Sequence, residues 1–361
     1  MSDRAEAARR RMVRDCEALG RPVRIMEVCG THTVAIFRSG IRASLPKGLT
    51  LLSGPGCPVC VTEQGYIDTV LELAQRDDVI LATYGDMIRV PGTAGSLETV
   101  NRPGVRVVLS TDDALALARE RPDKTVVFAA VGFETTTPAT AVAVGQAAQE
   151  GLDNFCILSG HKRVVPAMAA LLSDATNRID AFLCPGHVSV IIGSEAYRPI
   201  AQRFGRSCVV AGFEPVLILE AMAAICRQLV EGRAEVESLY AAVVRPEGNP
   251  RAMELIDRYF EPCDGPWRGL GRIPEGSLRL RAEYERFDAR RRFGLEERVA
   301  PEPAGCRCGD VLCGRIEPVA CGLFGSRCTP DTPVGPCMVS SEGACSAWYK
   351  YGRRGGRDGA G

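Results

Sequence analysis

Cys57 and Cys60 stand in the string SGPGCPVCVTEQGY (53–66), two thiols three positions apart among glycines and prolines, ahead of a helix-like pattern. At a helix N-terminus such a C-x-x-C pair has its thiol pKa lowered and serves as a redox dithiol. The same spacing is also half of a zinc site, which would want a second C-x-x-C or a histidine pair nearby, and this part of the chain has neither. The third reading is an inert turn with buried thiols.

Other reactive side chains are grouped just as tightly. Cys29 and His32 lie in MEVCGTHT (26–33). They suit either a metal-binding or nucleophilic thiolate with an imidazole as second ligand or base, or a buried thiol beside a hydrogen-bonded histidine. Glu134 in GFETTTP (132–138) is a carboxylate for the same site or a helix cap. His161 and His187 follow in SGH and PGH, and with His32 they are all three histidines of the chain. Near the other end, seven of the sixteen cysteines fall between Cys306 and Cys345. Cys306, Cys308 and Cys313 come from CRCGDVLCG. Cys321, Cys328, Cys337 and Cys345 follow with six, eight and seven residues between them. Four thiolates on Gly/Pro-rich loops can hold zinc or an iron–sulfur cube; the tight knuckles of zinc modules are missing, so the spacing favours the cube. Cys16, Cys156, Cys184, Cys208, Cys226 and Cys263 read as buried small hydrophobes.

Positioning these residues falls to short apolar runs with helical patterns between them. The runs are VRIMEV (23–28), LTLLSG (49–54), VILATYG (79–85) and VRVVLS (105–110), then TVVFAAVG (125–132), NFCILSG (154–160), IDAFLCPG (179–186) and SCVVAGF (207–213). Their spacing is that of strand–helix units with right-handed crossovers, and continuous apolar strands suit parallel sheets covered on both faces. The pattern predicts an α/β fold with two consecutive parallel-sheet domains of four strands each, residues 1–122 and 123–225, facing a central cleft. A helical and irregular connector (226–300) and a cysteine-rich segment (301–361) follow. Thr62 is expected to cap the helix after the dithiol, and Pro138 and Pro215 to open helices. PEPAG (301–305) reads as a linker and GRRGGRDGAG (352–361) as a disordered end. A segment of this size builds little core, so a metal centre would supply what burial cannot. In open α/β sheets ligands bind beyond the carboxyl ends of strands, where the unusual residues fall.

Bulk properties narrow the function class. Lys+Arg and Asp+Glu are both 44, so no electrostatic footprint argues for nucleic acid or an anionic membrane. No run approaches the roughly 20 apolar residues of a membrane span, and the N-terminus has no signal-peptide core. The expectation is a cytoplasmic protein, where clustered cysteines bind metal or do redox work.

MEVCGTHT, GPGCPVC, GFETTTP, PGH and the terminal CTP…PVGPCMVSSEGAC, in this order, resemble the HypD family of NiFe-hydrogenase maturation factors. The resemblance runs from Arg24 to Tyr351. It implies a scaffold on which the Fe(CN)2CO group is built, with two α/β domains and a third that carries a 4Fe-4S cluster. It implies a small partner, HypC, sharing the iron, a cyanide donor, HypE, docking on that complex, and HypF acting indirectly through HypE. By position, Cys29 matches the iron-binding cysteine with His32 beside it, Cys57 and Cys60 the dithiol, and Cys321, Cys328, Cys337 and Cys345 the cluster ligands. Val34 stands where some members have a second histidine, and Glu63 where a proline is common. The competing classes are an independent thiol–disulfide oxidoreductase and a structural zinc module.

Overall fold

The computed structural model describes residues 3–352, so residues 353–361 of the expected disordered end lie outside the described residues. All eight apolar runs form strands: β1 Val23–Glu27, β2 Leu49–Ser53, β3 Val79–Thr83, β4 Val105–Val107, β5 Thr125–Gly132, β6 Phe155–His161, β7 Ala181–Cys184 and β8 Ser207–Val210. A short ninth, β9 Val236–Ser238, joins them. All nine pair in parallel, and β3, β7 and β8 are buried along their whole length, as strands covered on both faces must be.

The strands are not shared out four and four. One sheet has five strands in the order β2-β1-β7-β8-β9, and the other has four in the order β4-β3-β5-β6. The chain starts in the first sheet, leaves after β2 to complete the second, and returns at β7. The expectation of two consecutive four-strand domains is thereby corrected. Spacing identifies a strand–helix unit, but which sheet receives it is decided by long-range pairing, here Ile25, Met26 and Glu27 of β1 beside Ala181, Phe182 and Leu183 of β7.

A single apolar cluster spans the two sheets. It runs from Met26 and Phe182 in one to Leu81 and Val127 in the other, and takes in Tyr66, Val70 and Leu73 of the helix Gln64–Ala74. The outer face of the five-stranded sheet is covered by helices Asp3–Leu19 and Pro215–Val230, through Met12, Ile218 and Met222. Pro138 and Pro215 sit in the first turn of helices Thr137–Glu150 and Pro215–Val230, where a missing N–H costs nothing. Thr62 does not cap helix Gln64–Ala74. Glu63 holds the N-cap position, and the Thr62 hydroxyl donates to the Pro58 carbonyl at 2.8 Å.

The connector contains an element that the sequence hid. β10 Phe260–Trp267 and β11 Gly271–Leu280 form an antiparallel hairpin, with a bulge between Cys263 and Gly265. Pro262, Pro266 and Pro274 disguise it, because proline in a strand signals a loop. The cysteine-rich segment folds as short helices, Cys308–Leu312, Pro336–Val339 and Ala344–Tyr351. The last packs on helix Gly30–Arg38, where Trp348 meets the Phe37 ring at 5.2 Å, and the Arg42 guanidinium lies 4.7 Å from the Trp348 ring.

Candidate functional site

In the five-stranded sheet the connections run in opposite directions from β1 and β7; in the four-stranded sheet they do so from β3 and β5. Such switch points open a crevice at the carboxyl ends of the strands. Residues following β1 and β7 (Cys29 and His187) and β5 (Phe133 and Thr135) line one cavity of about 480 Å³. Gly56 and Pro58, after β2, complete its floor beside Cys29.

Cys29 is in extended conformation ahead of helix Gly30–Arg38 and is 7 % exposed. Burial pushes its thiol up to about 12, with Glu342 and Glu27 adding to the effect and the His32 and Thr31 N–H groups opposing it. The β2 loop is pressed onto it: Gly30 N–H donates to the Gly56 carbonyl at 3.0 Å, and a Cβ on Gly56 would lie 2.2 Å from Cys29 N. Glu27, two residues upstream at the end of β1, is buried and accepts from the Thr33 hydroxyl at 2.6 Å. Burial raises its carboxyl to about 8.

Of the three histidines, His187 alone lines this cavity, with its ring centroid 4.2 Å from that of Phe213. His32 is buried against the same ring, 4.9 Å away, and its Nε2–H donates to the Gly212 carbonyl at 3.0 Å. Burial holds His32 down at about 4, so it is a neutral hydrogen-bonded imidazole. His161 is likewise buried, depressed to about 3, with Nε2 3.1 Å from Thr140 Oγ1. Glu134 turns away too. Its Oε1 accepts the N–H of Val164, first residue of helix Val164–Ser173, at 3.1 Å, and burial raises the carboxyl to about 7. It caps a helix, though not the one that follows it in sequence.

Cys57, the N-cap of the four-residue helix Pro58–Val61, and Cys60 within that helix are 4 % and 0 % exposed. Cys57 Sγ accepts the Cys60 N–H at 3.2 Å. The lowered pKa expected of a helix N-terminus is not realised at Cys60, whose thiol burial pushes well above its ordinary value. Enclosure outweighs so short a dipole. Cys60 touches both Cys57 and Cys337, which ties the dithiol to the cysteine-rich segment. Glu63 pairs with buried Lys162 at 3.1 Å.

In the cysteine-rich segment, the Cys337 thiol meets those of Cys308 and Cys345 as well as Cys60, and Cys306 meets Cys308. Cys328 lies within electrostatic reach of Cys306 and Cys308, with Sγ 3.4 Å from Val334 N. Cys321 is half-buried and turned toward the Gly305 carbonyl at 3.9 Å, apart from the group. Among the described residues no three His, Cys, Asp or Glu side chains converge as they would on one metal ion. The donors that do gather are thiols alone, on Gly/Pro-rich turns, and in chemical type they fit an iron–sulfur group.

One cavity residue has no functional signature in the sequence. Glu342 lines the Cys29 cavity from the loop between Cys337 and Cys345 and accepts from the Thr31 hydroxyl. Its only trace in the sequence is an acidic residue inside a cysteine-rich loop, which ordinarily reads as solvated.

The cavity, the dithiol and the thiol group draw on residues from Val28 to Cys345, and the likeness to known proteins has the same extent. A family profile described as "HypD: Hydrogenase formation hypA family" matches residues 4–352. The hydrogenase maturation factor HypD of Azotobacter vinelandii is 48% identical over 343 residues, covering 92% of this chain and 90% of the relative. HypD of Rhodobacter capsulatus is 47% identical over 339 residues and that of Escherichia coli 46% over 334, each with the same two coverages. The chain belongs to the HypD family of hydrogenase maturation factors.

Proposed function

We propose that this chain is the scaffold and redox protein on which the Fe(CN)2CO group of NiFe-hydrogenase is assembled. Its substrate is iron, held through Cys29 together with a HypC-type partner. Thiolate is the soft donor such low-spin iron calls for. One observation carries the reading: the Cys29 thiol sits on a cavity where the switch points of two sheets meet, with the dithiol loop against it at Gly56.

A HypE-type partner, itself modified by HypF, would present cyanide as a thiocyanate. Breaking its S–C bond takes two electrons, and the Cys57/Cys60 pair supplies both. The donor thiocyanate and two thiols give donor thiol, hydrogen cyanide and a Cys57–Cys60 disulfide; the cyanide passes to iron and its proton to solvent. Cys321, Cys328, Cys337 and Cys345 would hold a 4Fe-4S cluster, which when bound supplies single electrons. Cys60 is where the dithiol meets that set, through Cys337.

An independent thiol–disulfide oxidoreductase would instead reduce generic protein disulfides without a partner and without iron. Anaerobic purification followed by iron, sulfide and zinc analysis tests the proposal. Iron with acid-labile sulfide supports it; zinc without sulfide contradicts it.

A further inference from the structure

The turn of the β10–β11 hairpin places Arg268 between the dithiol turn and the cysteine-rich segment, 2 % exposed. Its backbone N–H donates to the Val61 carbonyl at 2.9 Å, and its Nε donates to the Thr62 carbonyl at 3.0 Å. Nη2 donates to Gln64 Oε1 at 3.3 Å, while Nη1 is buried with no acceptor. The next residue, Gly269, is at φ +76°, and a Cβ there would lie 2.3 Å from Gly309 Cα. The Cys313 thiol donates to the Gly269 carbonyl at 3.3 Å. The hairpin tip is therefore pressed against helix Cys308–Leu312 on one side and the dithiol turn on the other.

A guanidinium keeps its charge at any ordinary pH, and burying it without a counter-ion is strongly unfavourable. Among the described residues no carboxylate forms an ion pair with Arg268. Sulfur lies within reach of its charge: contact with Cys308 and burial push the Cys306 thiol well up, and Arg268 opposes that rise. Cys306 and Cys308 both face Gly335, where a Cβ would approach their sulfurs to 2.6 and 2.7 Å.

We infer that Arg268 is the fixed counter-charge of the cysteine-rich segment, a positioning residue whose buried guanidinium balances negative charge on the sulfurs and raises their reduction potential. It braces the dithiol turn at the same time. The inference rests on the proposed function, in which the cysteine-rich segment holds an iron–sulfur group whose thiolates, beside Cys306 and Cys308, carry negative charge. Reduction adds to that charge, and a buried cation favours the more negative state.

The test compares Arg268→Lys, which keeps the charge, with Arg268→Gln, which removes it but still donates to a carbonyl. Optical redox titration of the anaerobically reconstituted full chain reads the midpoint potential. Arg268→Gln is expected to lower it by about 59 mV or more, a tenfold change in a one-electron equilibrium, and Arg268→Lys to stay closer to the parent. Equal potentials in all three proteins, or the same displacement in both variants, would overturn the inference. Should Arg268→Gln not retain the cluster, the metal-free proteins are compared by the rate at which iodoacetamide labels Cys306, located by mass spectrometry. The variant is expected to react about tenfold more slowly; a rate equal to or above the parent's overturns the inference. A parent chain that takes up no iron–sulfur cluster would end the cluster reading, and the labelling comparison alone would then decide the role of Arg268.

Discussion

The hydroxyl of Thr31 donates to the carboxylate of Glu342 at 2.5 Å, a bond between residues 311 positions apart. It fastens the loop that carries Cys29 to the loop between Cys337 and Cys345. The contact is close on the backbone side as well, since a Cβ on Gly30 would come within 2.8 Å of the Glu342 carbonyl. Thr31→Val and Glu342→Ala should each destabilise the chain by about 1.5–3 kcal/mol, as for a hydrogen bond to a charged group. Each should also speed alkylation of Cys29. Glu342→Gln, which keeps an acceptor, should fall between; labelling rates unchanged in all three would show that the bond does not hold the loop.

Gly56 admits no side chain. With 2.2 Å to Cys29 N, Gly56→Ala must displace the Cys29 loop or the β2 loop, and neither is a flexible side chain. A loss of about 1–3 kcal/mol, typical of overpacking, is expected in chemical denaturation. Iron uptake should fall with it. A variant as stable as the parent would mean that the two loops part easily.

Under the proposed function, the dithiol separates electron supply from metal binding. Cys60→Ser should leave iron and acid-labile sulfide at parental levels and yet stop cyanide transfer to iron. Hydrogenase maturation at the parental rate in cells that make only this variant would refute the two-electron role of the pair.

Four buried titratable groups give stability a predictable pH dependence. His32 and His161, held down to about 4 and 3, stay neutral when folded, whereas the unfolded chain protonates them below 6.5. The stability they contribute is present above pH 6.5 and is lost as the pH falls toward those values. Glu27 and Glu134, raised to about 8 and 7 from 4.5, act in the opposite sense. Their contribution is full below pH 4.5 and declines as the pH rises through their folded values. Glu27→Gln removes one of the two alkaline declines, so between pH 5 and 8 its melting temperature should fall less than the parent's. Parallel curves would show that Glu27 titrates normally in the folded chain.

The sequence made local elements legible and left their long-range partners hidden. Runs such as VILATYG and TVVFAAVG read correctly as parallel strands because burial on both faces leaves no polar alternation. That β1 lies beside β7 could not be read, since the pairing depends on residues more than 150 positions apart. The hairpin that carries Arg268 was hidden by its prolines. At the candidate site, the place of Cys29 and of the C-x-x-C pair at strand ends was legible from residue type and spacing. The directions of His32, His161 and Glu134 were not, because a strand end fixes where a side chain starts and packing decides where it points. The acidity of Cys60 was not legible for a related reason: spacing shows the helix terminus but not the enclosure around it.

The central claim is that Cys29 holds the iron on which the diatomic ligands are assembled. Infrared spectroscopy of the anaerobically purified complex with its small partner tests it most directly, comparing the parent chain with Cys29→Ala. The parent should show CN and CO stretching bands and the variant none, at undiminished acid-labile sulfide; bands of equal strength in the variant would contradict the account.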